Sequence, residues 1–223
     1  LTMGGQLWIG SGDKNIGELL ETCLNESTTN SLKLTPSHLL LLNELGVDTS
    51  SIQRIILGGE KVVQKQVAQF LKTSPETRIF NEYGPTEATV GSVVEELFLD
   101  TETVLIGTPI ERMVVRIARP DGTKCRIGET GELLLSGAGV SIGYLGREDL
   151  NTSKFFSDDE GRWYKTGDLA RWTPDGKIDC LGRIDDQLKI LVLSIHTGVD
   201  ASTHQRFEAS TSRMHRCVAV SMH

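Results

Sequence analysis

The run Asn81-Glu82-Tyr83-Gly84-Pro85-Thr86-Glu87 puts a carboxamide, two carboxylates, a phenol and a hydroxyl on seven consecutive residues, around a glycine and a proline. An aromatic face such as Tyr83 suits stacking on a planar base, the Thr86 hydroxyl suits a phosphate oxygen, and Glu87 suits a magnesium ion that neutralises phosphates. The same run also reads as a strand-ending turn punctuated by Gly and Pro. Its surroundings decide between the two.

Those surroundings begin as alternating strands and helices. A short apolar strand is expected at 6–9 and a helix from about Asp13 to Leu24. A second strand, Ser31 to Leu34, runs into Thr35-Pro36-Ser37, a cap for a Leu-rich helix ending near Gly46. A strand over Ile52 to Leu57, the pair Gly58-Gly59, a helix from Lys61 to Lys72 and a strand over Arg78 to Asn81 follow. This alternation implies a parallel sheet, which binds ligands beyond the carboxyl ends of its strands, the edge that carries Lys33, Gly58 and Glu82. From about Val104 short β-type runs and strong turns predict antiparallel structure. Met113 to Ala118 and Gly131 to Leu135 form one set, and Leu169 to Trp172, Thr173-Pro174-Asp175-Gly176 and Lys177 to Leu181 form a hairpin. A boundary is expected near residue 92.

Composition narrows the function classes. At about 150 residues per domain, 223 residues make roughly one and a half domains. An apolar content of 38% supports a buried core and excludes a disordered or collagen-like chain. Lys and Arg total 23 against 30 Asp and Glu, a net charge of −7 with no basic block, so neither nucleic acid nor an anionic membrane is the expected partner. No apolar run reaches the roughly 18 residues of a spanning helix. Cys23, Cys125, Cys180 and Cys217 show no metal-ligand spacing and are expected as free thiols in the cytoplasm. His196, His204, His215 and His223 lie near the C-terminus at wide spacings, which favours a surface tail over a metal site. The glycines of Gly137-Ala138-Gly139 and Gly143 do not match the G-x-G-x-x-G dinucleotide spacing.

Four further blocks follow in order: Gly131-Glu132-Leu133-Leu134-Leu135-Ser136-Gly137, Gly143-Tyr144-Leu145, Tyr164-Lys165-Thr166-Gly167-Asp168-Leu169, and Gly182-Arg183-Ile184-Asp185-Asp186-Gln187-Leu188-Lys189-Ile190. Together with the first run they resemble the adenylate-forming superfamily of acyl-CoA ligases, luciferase and the adenylation domains of nonribosomal peptide synthetases. The Pro-Thr-Glu ending and the last block most resemble the peptide-synthetase branch, and the resemblance runs from Leu1 to about Ile190. It implies an α/β fold in which 1–91 form the C-terminal part of a parallel α/β subdomain and 92–184 an antiparallel β-barrel-like subdomain. Residues 185–223 would be a hinge and a divergent, incomplete stub of a mobile C-terminal subdomain.

The implied activity joins an amino acid to ATP, giving aminoacyl-AMP and pyrophosphate, before capture on a phosphopantetheine thiol. ATP and Mg2+ are the implied cofactors, and the partners are peptidyl carrier and condensation domains of the same synthetase. The resemblance assigns catalysis to Thr86, Glu87, Asp168 and Arg183, and nucleotide binding to Gly59, Asn81, Glu82, Tyr83, Gly84, Thr86, Asp168 and Arg183. Glu87 would meet the metal and Asp185 would be the hinge. A carboxylate at Asp168 can accept from both ribose hydroxyls, and the fixed fork of Arg183 suits ribose or phosphate. Without the resemblance, Asp168 is a loop carboxylate and Arg183 one arm of a structural ion pair. Glu132 is expected to be structural.

Six substrate-pocket positions are implied: Lys33, Ile56, Gly58, Glu82, Val90 and Gly91. One cationic donor and one acidic acceptor among small walls suit a side-chain carboxamide, which points to asparagine, with glutamine or aspartate behind it. The Ser/Thr/Gly-rich phosphate loop, the Asp for the substrate amino group and the C-terminal catalytic Lys have no counterparts, so the chain is expected to be an internal fragment, inactive alone. After Ile190 only Ile195 and Gly198 fit the pattern, and that tail is expected to be poorly folded. An acyl- or aryl-CoA ligase fragment and a non-catalytic remnant are the alternatives.

Overall fold

The computed structural model describes residues 6–9, 15–26, 29–184, 187–190, 193–196 and 218–221. Its contacts divide into two compact units, Leu1–Phe80 with Leu97–Thr103 and Leu188–His223, and Asn81–Glu96 with Val104–Gln187. Among the described residues no helix is long and apolar enough to cross a membrane.

The first unit follows the expected alternation: β1 (Gln6–Ile9), α1 (Ile16–Glu26), β2 (Ser31–Leu34), α2 (Pro36–Leu45), β3 (Arg54–Gly58), α3 (Gln64–Thr73) and the start of β4 (Arg78–Tyr83). Local chemistry sets the helix ends. Thr35 Oγ1 accepts from His38 N at 3.3 Å, Pro36 occupies the first turn where no N–H is needed, and Gly46 closes α2 at φ 63°. The first helix starts later than expected because Asn15 Oδ1 accepts from Glu18 N at 3.0 Å and caps it there. The third also starts later: its N-cap Val63 is extended, at φ −108° and ψ 121°, and Val62 before it is buried. Each helix turns an apolar face inward, Leu19, Leu20 and Cys23 from α1, Leu39 and Leu42 from α2, and Val67, Phe70 and Leu71 from α3. Leu32, Leu34, Ile55 and Leu57 of the strands are buried as well. β2 and β3 pair in parallel, with Lys33 opposite Ile56.

The second unit is built around an antiparallel sheet. After β5 (Val93–Leu97) and β6 (Thr108–Pro109) come β7 (Met113–Ala118), β8 (Gly131–Gly137), α4 (Glu148–Lys154), β9 (Phe155–Asp158), β10 (Gly161–Trp172) and β11 (Ile178–Arg183). The order is β11-β10-β8-β7, with β9 also on β10. β8 runs through the middle and both its faces are covered. Leu133 and Leu135 join Ala88, Val93, Ile106, Met113, Ile117, Ala170 and Ile178 in one core cluster, while Leu134 packs with Ala118 and Trp163 in another. The expected hairpin forms with Trp172 opposite Ile178 and Gly176 at φ 78° in its turn.

Three short strands remain, β12 (Gln187–Ile190), β13 (Leu193–His196) and β14 (Val218–Ser221). β14 pairs antiparallel with both β1 and β2, Val218 opposite Lys33, so the sheet is mixed where the alternation alone implied a parallel one. A strand with an unpaired row of N–H and C=O groups accepts whatever extended segment reaches it. The hinge expected at Asp185 lies outside the described residues, as does the tail after Ile190 apart from β13 and β14.

Candidate functional site

Asp168 sits on a break in the β10–β8 ladder. Lys165 is opposite Leu134 and Leu169 is opposite Glu132, so Thr166, Gly167 and Asp168 on β10 face a single residue of β8. Such bulges re-aim side chains at the rims of sheets. The displaced groups are satisfied by side chains. Thr166 Oγ1 donates to Leu133 O at 2.7 Å and accepts from Asp168 N at 3.0 Å, and Glu132 Oε1 accepts from Gly167 N at 3.0 Å. The structural role expected of Glu132 is therefore a specific one. Gly167 carries φ 73°, and a Cβ there would lie 2.8 Å from Arg183 Nη2.

On the other side of β10, Asp168 is the register partner of Arg183 on β11. Arg183 Nη1 donates to Thr166 O at 2.8 Å and lies 3.4 Å from Asp168 Oδ1. Tyr83 Oη donates to Asp168 Oδ2. Burial first, and the Asp168 charge second, push the Tyr83 hydroxyl well above its usual range, so it is a donor at physiological pH. Three residues far apart in sequence are thus joined into one polar cluster with a half-buried carboxylate at its centre.

Tyr83 ends β4, and the turn after it is stitched tightly. Ala88 N and Val90 N both donate to Pro85 O at 3.0 Å, Ser92 N donates to Tyr83 O at 2.9 Å, and Ser92 Oγ donates to Ala88 O at 2.9 Å. These bonds hold Thr89 at φ 58° and Val90 at φ 65°, which is costly for a β-branched side chain. Gly84 is required by space: a Cβ would lie 2.3 Å from Val90 O. Replacing Gly84 with alanine is expected to cost about 2 kcal/mol through the forced backbone shift and to move Glu87, measured as a lowered Tm.

The remaining predicted residues are placed as follows. Thr86 is exposed at the start of a single 3-10 turn over Thr86–Ala88, and Glu87 is half-buried in it. Glu87 Oε1 accepts from Tyr144 Oη. Asn81 is buried and its Nδ2 is committed to Leu105 O at 2.7 Å. Glu82 lies against Gly91, where a Cβ would come within 2.7 Å of Glu82 Oε1, and Val90 is exposed. In the first unit, Lys33 and Ile56 are half-buried cross-strand neighbours, Gly58 is buried at the end of β3, and Gly59 is exposed at φ 86°. Burial lowers the Lys33 ammonium to about 8. Sequence reasoning gave no individual role to Thr166 or Tyr144, although both lie inside blocks it singled out. Among the described residues no group of three or more His, Cys, Asp or Glu side chains could hold a metal ion.

The described residues define an α/β protein whose second unit is built on an antiparallel sheet. The AMP-binding enzyme family matches residues 1–145. A mycosubtilin synthase of Bacillus subtilis is 39% identical over 206 residues, 88% of this chain and 8% of that protein. Bacitracin synthase 3 of Bacillus licheniformis is 38% identical over 188 residues, 82% of this chain and 3% of that protein. A solved structure of an NRPS protein containing adenylation and PCP domains superposes with a TM-score of 0.74 at 26% identity, covering 80% of this chain and 38% of that one. The chain belongs to the AMP-binding enzyme family, as part of an adenylation domain of the nonribosomal peptide synthetase type. It spans less than a tenth of the length of these two synthases.

Proposed function

We propose that this chain supplies ATP-binding and substrate-binding residues to an amino-acid adenylation domain. A substrate carboxylate oxygen attacks the α-phosphorus of ATP, the bond to the β-phosphate oxygen breaks, and aminoacyl-AMP and pyrophosphate form. The acyl group then passes to a phosphopantetheine thiol on a carrier domain, with loss of AMP. No protein nucleophile is required, so positioning and charge neutralisation carry the catalysis. The observation that supports this most is the Asp168 carboxylate held by Tyr83 on one side and placed beside Arg183 on the other. Asp168 would accept from the ribose hydroxyls, Tyr83 would present its ring to the adenine, and Arg183 would face ribose or phosphate.

Glu87 is the residue for a magnesium ion. A single carboxylate is a poor all-protein cage but suits a cation that arrives on nucleotide phosphates, since Mg2+ is ordinarily held by one or two carboxylates plus substrate oxygens. When bound, such an ion neutralises charge on the phosphates and the departing pyrophosphate. Alone, the 223 residues are proposed not to turn over, because the phosphate loop, the amino-group Asp and the catalytic Lys have no counterpart in them.

The proposed amino acid is asparagine, with Lys33 donating to its carboxamide oxygen. Amino-acid-dependent ATP–pyrophosphate exchange by the synthetase carrying this chain tests both levels. Exchange with asparagine is the expected result; exchange with a large apolar amino acid and none with asparagine refutes the substrate, and no exchange with any amino acid refutes the activity.

Lys33 adds a pH signature. Its charge is lost as pH rises through about 8, so KM for asparagine is expected to climb above that pH, and Lys33→Arg, which stays charged, is expected to flatten the profile. The folded protein releases this proton near pH 8 and an unfolded chain only near 10.5, so rising pH favours the folded state across that window.

A further inference from the structure

The Gly143-Tyr144-Leu145 block has no place in the reaction described above, yet the second unit is built to hold its central residue. Asn151, on α4, clamps the Tyr144 backbone from both sides: Tyr144 N donates to Asn151 Oδ1 at 2.7 Å, and Asn151 Nδ2 donates to Tyr144 O at 3.0 Å. Gly143 makes room for that clamp, at φ 131° and with a Cβ position only 2.5 Å from Asn151 Oδ1. The Tyr144 ring packs edge-on against Phe155, with centroids 5.7 Å apart, and Phe155 packs on Tyr164 at 5.0 Å. The loop is pinned from below as well, since Arg162 Nη2 donates to Ile142 O at 2.8 Å.

Everything held this way converges on Glu87. Ser141 N donates to Glu87 O at 2.8 Å, fixing the backbone, and Tyr144 Oη donates to Glu87 Oε1, fixing the side chain. The neighbours Ile142 and Leu145 are 96% and 102% exposed, so Tyr144 is the side chain of this loop that turns inward.

We propose that Tyr144 is a positioning residue for the Glu87 carboxylate, holding one of its oxygens so that the group is presented in a single orientation to the divalent cation of the nucleotide. This rests on the reading that Glu87 meets that cation. A free glutamate on a turn must lose its rotamer freedom when it binds a cation, and a phenol already bonded to it removes that cost beforehand. Hydrogen-bonding partners of metal-ligating carboxylates typically account for a 10- to 100-fold effect on metal affinity.

The test uses the synthetase carrying this chain, with Mn2+ as the probe and water-proton relaxation as the readout, in the presence of saturating ATP. Tyr144→Phe is expected to weaken Mn2+ binding about tenfold. ATP affinity without divalent cation is expected to stay within about twofold, and raising Mg2+ to restore the exchange rate. A Tyr144→Phe protein with Mn2+ affinity within twofold of the parent, or a rate loss that Mg2+ does not restore, overturns the inference. Should that variant fail to fold, Asn151→Ala carries the same test, because it frees Tyr144 without removing a phenol, and parental Mn2+ affinity there also overturns it. Glu87→Gln separates the two levels: if it binds Mn2+ as the parent does, the assignment of Glu87 to the cation fails rather than the role of Tyr144.

Discussion

Asp168→Ala in the synthetase carrying this chain is expected to reduce kcat/KM for ATP by about 100-fold, since a charged hydrogen-bonding group contributes roughly 1.5–3 kcal/mol and this one would accept from two hydroxyls. Most of the loss is expected in KM. The side chains of Asp168 and Arg183 are 15% and 23% exposed, so water replaces the lost carboxylate poorly. The substitution also strips Tyr83 Oη and Arg183 Nη1 of a shared partner, and each then has reason to reorient. Asp168→Asn discriminates further. Its oxygen can still accept, but its amide nitrogen finds no acceptor on the Arg183 guanidinium and can bond Tyr83 only if that hydroxyl gives up its role as donor, so it is expected to recover no more than about tenfold of the loss. Pyrophosphate exchange across an ATP titration measures both variants, and a parental KM for ATP in Asp168→Ala would remove Asp168 from the nucleotide site.

The largest stability effect is expected far from that chemistry, on the opposite face of β8. Arg116 on β7 is 8% exposed, its Nη1 lies 2.7 Å from Asp158 Oδ2 and its Nη2 3.0 Å from Glu160 Oε2, and its guanidinium stacks 3.9 Å above the Trp163 ring. Trp163 Nε1 donates to Asp158 Oδ1 at 2.9 Å, and Lys124 Nζ reaches Glu160 Oε1 at 2.6 Å, which closes the network. Breaking a buried pair costs about 3–5 kcal/mol when the abandoned charge stays dry. Here Asp158 and Glu160 are 33% and 51% exposed and can rehydrate, and Arg116 Nε is itself buried without a partner, so Arg116→Ala is expected at the lower end, about 3 kcal/mol including the lost cation–π contact. Arg116→Lys keeps the charge and loses the planar stack and the fork, with an expected cost of about 1–2 kcal/mol. Denaturant unfolding followed by tryptophan fluorescence measures both.

The same network has a pH signature. The Arg116 guanidinium holds the Asp158 carboxyl at about 2, below its ordinary 3.8. A depressed carboxylate stabilises the fold at pH values above the unfolded pKa, and that contribution fades as pH falls from about 4 through about 2. Arg116→Ala is expected to flatten stability across this acid window.

How far the fold could be read beforehand varied with the range of the interactions. The cap at Thr35-Pro36 and the stop at Gly46 depend on bonds within one turn, so residue types alone sufficed. The start of α1 did not yield as well, because Asp13 and Asn15 are both acceptable caps and only the Glu18 N–H, bonded to Asn15, chooses between them. The pairing of β7 with β8 followed from two β-type runs close in sequence, whereas β14 beside β2 joins residues that no local signal connects.

From the sequence alone came the family, the α/β class and the candidate site residues, since a motif states which functional groups are available and in what order. The tertiary structure decided which of those groups touch. Tyr83 reaches Asp168 across 85 residues and Tyr144 reaches Glu87 across 57, separations at which pairing depends on how the sheet closes rather than on neighbours in the chain. It also decided the bulge that turns Asp168 out of its ladder, because whether the Thr166 hydroxyl can stand in for a missing strand bond depends on the Leu133 carbonyl that β8 brings to it.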